Sequence, residues 1–180
     1  MHPEAIIFEH YRPGSLLAVT LLDHSRRVRD KALAVAAQVS HLEPDMDFID
    51  QAALLHDIGI QWTRAPSIHC HGELPYICHG VIGRRILAQY GLDKLGLVCE
   101  RHVGVGIRAA DITAQGLRLP LREMVPLSLE EIIVCYADKF FSKKSGGGQS
   151  HSLEAVRADL LRFGQDKVER FMDWHRQLNP

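Results

Sequence analysis

The sequence predicts an all-α protein, a compact bundle of about six to seven helices. In several segments apolar residues recur at steps of three or four, which is the helical period, and no segment convincingly alternates apolar with polar residues as a half-buried strand does. At 180 residues and 46% hydrophobic composition, the chain is long enough to bury a core of its own. We therefore predict a single domain over residues 1–180.

The first predicted helix spans residues 15–39, where a stripe of leucine, valine and alanine includes His24. Because His24 lies on that stripe, we expect its side chain to point into the core. A second helix, with Asp47 as its predicted N-cap, ends at the glycine of the sequence His-Asp-Ile-Gly. This places His56 and Asp57 in its last turn.

Two shorter helices follow a predicted loop at residues 61–77, which contains two prolines. One spans about 78–90 and carries His79 in its first turn. The other spans 93–103 and carries His102 near its end.

The C-terminal part begins with the glycine- and proline-containing segment 104–127, which is predicted to be a long loop. A serine followed three residues later by glutamate, a capping box, opens a helix at 128–144 that carries Asp138. A flexible break is predicted at 145–150 because of its glycines, and an amphipathic helical tail at 151–180.

The composition limits the range of partners. A formal net charge of −1 gives no general attraction to nucleic acid or to an anionic membrane, and no apolar run is long enough to span a bilayer. We expect a cytoplasmic protein that binds neither nucleic acid nor membrane. Its four cysteines lack a Cys-x-x-Cys spacing and are expected to be reduced.

The most informative feature is an ordered set of six residues of the types that bind metals. These are His24, His56, Asp57, His79, His102 and Asp138. Taken singly, each is as often or more often a core histidine, a helix cap or a solvated charge. Together, imidazoles and carboxylates in helices favour Fe, Mn or Zn, and six ligands are too many for one closed tetrahedral ion.

The pattern resembles the H…HD…D signature of the HD-domain superfamily of metal-dependent phosphohydrolases, and His-Asp-Ile-Gly is its common central motif. His79 and His102 resemble the extended form of the signature, whose members bind two metals, often iron. The resemblance covers roughly residues 15–144, the predicted metal-binding core. The chain is also similar to bacterial symmetric diadenosine tetraphosphate hydrolases.

The resemblance implies roles for these residues. His24, His56, Asp57 and Asp138 would bind the first metal. Asp57, the predicted catalytic residue, would bridge to a second metal held by His79 and His102. Two divalent ions are thus expected, iron first, with manganese or zinc as alternatives.

Basic residues near these ligands are candidates for binding substrate phosphate. They are Arg27, Lys31, Arg101, Lys139 and Lys144, and Lys143 precedes the last of them. In the diadenosine tetraphosphate hydrolases an arginine follows the last aspartate by about six positions in a Glu-Pro-containing segment. Here Lys144 stands at that position, and the Glu-Pro is absent.

The predicted function is hydrolysis of a nucleotide, a dinucleotide or a related phosphate ester or anhydride, with a small-molecule phosphate substrate. Two alternatives stay open. One is a mixed-valent di-iron oxygenase, which uses nearly the same ligands, and the other is a non-catalytic nucleotide-binding module. A homodimer is also left open, because the helical tail fits either its own core or a second copy.

Overall fold

The computed structural model describes residues 2–143 and 150–179, and it confirms the mostly α-helical class. The described residues contain nine α-helices: α1 (Pro3–His10), α2 (Leu16–Gln38), α3 (Met46–Leu55), α4 (His79–Ala88), α5 (Asp93–Arg101), α6 (Ala109–Gln115), α7 (Leu129–Asp138), α8 (Leu153–Leu161) and α9 (Gln165–Leu178). The number exceeds six to seven because α1 and α6 were not predicted. In addition, the predicted tail helix is divided at Gly164, whose φ of 135° interrupts the helix.

A small three-stranded sheet lies within the predicted loop at 61–77. It consists of β1 (Thr63–Ala65), β2 (Cys70–His71) and β3 (Leu74–Pro75) in the order β2-β1-β3. The central strand β1 pairs antiparallel with β2 and parallel with β3. Strands of two or three residues are too short to show an alternating pattern in the sequence.

The core is formed around α2, which packs against α3 and α7. Leu21 and Val28 of α2 are fully buried, as the predicted stripe requires, and His24 lies on the same buried face. Helix α9 of the tail contributes Phe171 and Leu178, both fully buried in this same core. The tail therefore packs onto the helices that carry the histidines and aspartates.

The ends of α3 differ from the prediction. Asp45, and not Asp47, is the N-cap: its carboxylate accepts a hydrogen bond from the Phe48 backbone N–H at 2.9 Å. The prediction of Asp47 was wrong because the helix begins two residues earlier than its apolar pattern indicated. At the other end α3 stops at Leu55, so that His56 is the C-cap and Asp57 lies in the following turn.

Helices α4 and α5 cross at very short distance through glycines of α4. A Cβ atom added at Gly80 would lie 2.4 Å from the Cys99 carbonyl oxygen, and one added at Gly83 would lie 2.9 Å from the Cys99 Cβ. The two helix backbones can approach this closely only because these positions lack side chains. The crossing brings the start of α4 to the end of α5, and these are the places where His79 and His102 lie.

Several other predictions can be compared with the structure. The predicted capping box of α7 forms in its serine half: the Ser128 hydroxyl accepts a hydrogen bond from the Glu131 N–H. The Glu131 carboxylate accepts hydrogen bonds from the Leu127 N–H and from Arg101. All four cysteines are free and buried. Among the described residues, no helix is both long and apolar enough to cross a membrane. Residues 145–149 of the predicted break at 145–150 lie outside the described part of the chain.

Candidate metal centre

The six predicted ligands converge in the interior although they are spread over most of the chain. They come from the middle of α2, the turn after α3, the start of α4, the end of α5 and the end of α7. None of the six is more than 6% exposed, and His24, His56 and Asp57 are completely buried. The structure therefore brings together every residue that was predicted as a metal ligand.

One group of side chains comprises His24, His56, Asp57 and Asp138, with one potential ligand atom from each lying within 4.8 Å of the others. The Nε2 of His24 lies 2.9 Å from Asp138 Oδ1 and 3.3 Å from Asp57 Oδ2. The Nε2 of His56 lies 3.1 Å from the same Asp57 oxygen. Two imidazoles and two carboxylates thus face a common point.

A second group comprises Asp57, His79 and His102. The Nε2 atoms of both histidines lie 3.4 Å from Asp57 Oδ1, the oxygen that the first group does not use. Asp57 therefore belongs to both groups and presents one oxygen to each. This is the arrangement of a carboxylate that bridges two ions.

Backbone carbonyls orient three of the imidazoles. In each case Nδ1 lies within hydrogen-bond distance of a carbonyl oxygen three residues earlier, so that the nitrogen must carry the proton and donate it. The pairs are His56 with Ala53 at 2.7 Å, His79 with Tyr76 at 2.6 Å and His102 with Cys99 at 2.8 Å. In the neutral imidazole this leaves the lone pair of Nε2 available, as in metal-binding histidines whose other nitrogen is hydrogen-bonded.

The distance between His79 and His102 shows that a metal ion would fit between them. Their Nε2 atoms lie 3.2 Å apart, and with both Nδ1 atoms protonated, two lone pairs face each other. Burial lowers the pKa of both imidazoles, that of His79 to about 3, so that both are neutral. Two nitrogens bound at about 2.1 Å to one ion lie roughly 3.0–3.4 Å apart, so the spacing suits a shared metal.

Asp57 is charged despite its complete burial. Burial acts to raise its pKa, yet Lys143, His56 and the neighbouring histidines hold the pKa of Asp57 well below the usual range. The Nζ of Lys143 lies 2.7 Å from Asp57 Oδ2. A buried carboxylate of this kind requires a cation nearby, because an unpaired charge is costly in the interior.

Each of the two groups also contains an atom without a hydrogen-bond partner. His56 Nε2 and Asp57 Oδ1 are buried and have no such partner among the described residues. Burial acts to lower the pKa of His56, but Asp57 and Asp138 outweigh it and raise that pKa to about 9. Both observations indicate that positive charge is favoured at this point, so the cluster could hold a metal ion.

Of the predicted phosphate-binding residues, Lys139 lies at the centre. Its Nζ is 2.7 Å from Asp138 Oδ2 and also reaches the His102 carbonyl oxygen at 3.5 Å. Lys139 and Lys143 both line a cleft of about 550 Å³ that opens at Asp138. Two ammonium groups therefore flank the mouth of the cluster.

The other predicted cations have other contacts. Arg101 donates to both carboxylate oxygens of Glu131, at 2.8 and 3.0 Å, and Lys31 places its Nζ 4.1 Å from the centre of the Phe140 ring. The structure does not bring these two to the cleft. Arg27 pairs with Asp23 at 2.9 Å and also lies against Phe141, which lines the cleft, so it stands at the rim. Lys144 lies outside the described residues.

The sequence interpretation missed two residues of this site. It did not predict that Lys143 contacts Asp57, because sequence spacing alone does not show which of two adjacent lysines beyond a helix end turns toward the cluster. Tyr76 was not considered. Its carbonyl orients His79, and its ring centre lies 4.6 Å from that of His79.

A family model and several known proteins match the segment that forms this cluster. The model of the HD domain family matches residues 21–142, a segment that contains all six of the converging residues. An uncharacterised protein of Methanocaldococcus jannaschii is 37% identical over 127 residues, which cover 69% of this chain and 68% of that protein.

Two further relatives are named tRNA (cytidine(56)-2'-O)-methyltransferase. The protein of Thermoplasma volcanium is 30% identical over 161 residues, covering 88% of this chain but 42% of the relative. That of Picrophilus torridus is 35% identical over 99 residues, covering 54% of this chain and 25% of the relative. The chain thus spans less than half the length of either methyltransferase. No solved structure matches the chain.

Proposed function

The chain belongs to the HD-domain family, and on that premise we propose that it is a metal-dependent phosphohydrolase with a dinuclear centre. The observation that carries the proposal is the position of Asp57, which presents one oxygen to each of two buried ligand groups. A single mononuclear site would leave the second group, with its opposed imidazole lone pairs, unexplained. The substrate in this proposal is a small phosphate compound, with nucleotides as the first candidates.

The protein side chains supply the two coordination sites. His24, His56 and Asp138 would hold one ion, His79 and His102 the other, and Asp57 would bridge them. Neutral imidazoles and carboxylates suit Fe, Mn and Zn, and we propose iron first. When bound, two such ions supply a water-derived nucleophile at neutral pH and neutralise charge on the phosphoryl group.

Residues at the mouth of the cluster would bind the phosphoryl group of the substrate. Lys139 and Lys143 line the cleft from the side of Asp138, where their ammonium groups can donate to phosphate oxygens. Asp138 outweighs burial and raises the pKa of Lys139, and Asp57 does the same for Lys143, so both stay protonated. These lysines would orient the phosphoryl group against the ligands and exclude water from one side of it.

The activity of the methyltransferase relatives is not part of this proposal. The alignment to the Thermoplasma volcanium protein covers most of this chain, and therefore most of the HD segment, while more than half of that relative lies outside it. The shared portion is thus the one that carries the His and Asp cluster. We expect no binding of the methyl donor S-adenosylmethionine, which calorimetry can check.

The test is phosphate release from a panel of phosphate monoesters, diesters and nucleotides by protein loaded separately with Fe(II), Mn(II) and Zn(II). Asp57→Asn keeps the shape of the side chain and removes the charge, and we expect it to lower kcat/KM at least about a hundredfold. A metal-loaded protein that releases no phosphate from any substrate would overturn the proposal. Oxygen consumption with an Fe(II)/Fe(III) signal would favour the oxygenase, and nucleotide binding without turnover would favour the non-catalytic module.

A further inference from the structure

An apolar cavity of about 330 Å³ lies beside the proposed metal centre. One wall is the segment between α5 and α6, and the other comes from α8 and the turn after it. Its apolar lining includes Val103, Val105, Ile107, Leu117, Leu160 and Phe163. The second wall lies beyond residue 142, where the HD segment ends, so it is contributed by the tail of this chain.

The cavity adjoins the cleft at Asp138. Lys139, Asp159 and Leu160 line both spaces, so that Lys139 stands at their junction. Tyr76 also lines the cavity, and its ring lies against that of His79. A molecule whose phosphoryl group lies at the cluster can therefore extend its organic part into the cavity.

The charges in the cavity exclude a second phosphoryl group. Among the described residues, the cation that lines it apart from Lys139 is Lys167, whose Nζ is paired with Asp111 at 2.6 Å and with Asp166 at 2.9 Å. Asp111 and Asp159 face the same space, and they would repel another anion. The part of the substrate held here must carry no negative charge.

The shape and the aromatic residues indicate a flat group. Phe163 lines the cavity yet is 63% exposed, so a bound ring would cover an aromatic side chain that now faces solvent. Tyr76 supplies a second aromatic ring, and Gly104 and Gly106 offer bare backbone to a close neighbour. The volume lies at the small end of the range of ligand pockets, which suits one nucleoside-sized group and not two.

We infer that this cavity binds the uncharged aromatic or heterocyclic group of a phosphate monoester whose phosphoryl group lies at the six-residue cluster. The inference rests on the proposed function for the phosphoryl end only. It separates the substrate of this protein from dinucleoside polyphosphates, which carry several further negative charges. It also makes the tail, through Phe163 and Leu160, a determinant of specificity.

The test compares two phosphonates that differ only in their organic group, 1-naphthylphosphonate and methylphosphonate. Binding to the Mn(II)-loaded protein is measured by calorimetry, which needs no turnover. We expect the naphthyl compound to bind at least about tenfold more tightly, because its ring buries apolar surface. Phe163→Ala should reduce that advantage about fivefold.

Leu161→Ala is the matched control. Leu161 is 55% exposed and two residues away, and it does not line the cavity, so this variant should keep the advantage within about twofold of the wild type. Because both side chains are largely exposed, neither substitution should disturb folding.

The outcomes distinguish the inference from the function on which it rests. Equal binding of the two phosphonates, or equal effects of Phe163→Ala and Leu161→Ala, would overturn the inference and leave the hydrolase proposal standing. A naphthyl advantage that persists after metal removal, in protein that hydrolyses no phosphate ester, would support the cavity and overturn the proposed function. Failure of both compounds to bind would overturn both.

Discussion

Lys143 offers a test of the charge balance in the cluster. In the structure its Nζ lies 2.7 Å from Asp57 Oδ2, closer than the Nε2 of His56 at 3.1 Å. Lys143→Met keeps most of the side-chain volume and removes that charge. In metal-free protein the variant leaves a completely buried carboxylate that has lost the nearer of these two partners.

The expected loss of stability follows from the burial of the pair. Removing one partner of a buried ion pair costs about 3–5 kcal/mol, and we take about 3 kcal/mol because the Lys143 side chain is 14% exposed. For a chain of this length each kcal/mol lowers Tm by about 2–4 °C, so Tm should fall by about 6–12 °C. Divalent ions at Asp57 should restore most of this loss, because they replace the missing positive charge.

A thermodynamic cycle connects the two measurements. If metal removes a penalty of about 3 kcal/mol, metal must bind the variant about a hundredfold more tightly than the wild type. Thermal unfolding with and without chelator, and competition with a chromophoric chelator, measure the two sides of this cycle. Lys31→Met is the control, since Lys31 faces the Phe140 ring and not a carboxylate. Equal Tm values for the two variants in chelator would refute the reasoning.

Three further predictions follow from the same geometry. Lys139→Met should lower kcat/KM for phosphate esters about tenfold or more while the metal content is unchanged, because it removes a charged hydrogen-bond donor at the cleft; loss of metal instead would contradict this role. Gly80→Ala should lower the free energy of unfolding by about 1–3 kcal/mol through overpacking against α5. The loss should exceed that of Gly91→Ala, because Gly91 has positive φ but open space around it. Equal losses in denaturant titrations would contradict the close crossing. In chelator, stability should be greatest near pH 6.5, the pKa of an unfolded histidine. The folded pKa of His79 is about 3, so its contribution is lost as pH falls from 6.5 toward 3; that of His56 is about 9, so its contribution is lost as pH rises from 6.5 toward 9. A flat profile of Tm against pH would contradict these shifts.

The sequence predicted α2 well because its apolar period repeats over several turns. Helix α2 has bounds within one residue of the prediction, and His24 faces the core as its place on the stripe indicated. Helix α6 and the small sheet were missed. Seven residues, or strands of two and three, contain too few repeats for a period to be recognised.

The convergence of the six residues was predicted from their order and from the family resemblance, since spacing alone does not determine three-dimensional proximity. The structure adds the physical cause: glycines in α4 let α5 approach closely enough for His79 to meet His102. The cations were harder to predict, because closeness in sequence does not determine where a long side chain points. Arg101 is adjacent to His102 and yet pairs with Glu131.

Metal content per chain is the most direct test of the dinuclear centre. It should be measured by mass spectrometry on protein purified without chelator or polyhistidine tag, for the wild type, His79→Ala and Asp57→Ala. We expect two equivalents of divalent metal in the wild type, about one in His79→Ala, and almost none once the bridging Asp57 carboxylate is removed. One equivalent in the wild type, unchanged by His79→Ala, would contradict the second site, and no metal after anaerobic reconstitution would contradict the centre as a whole.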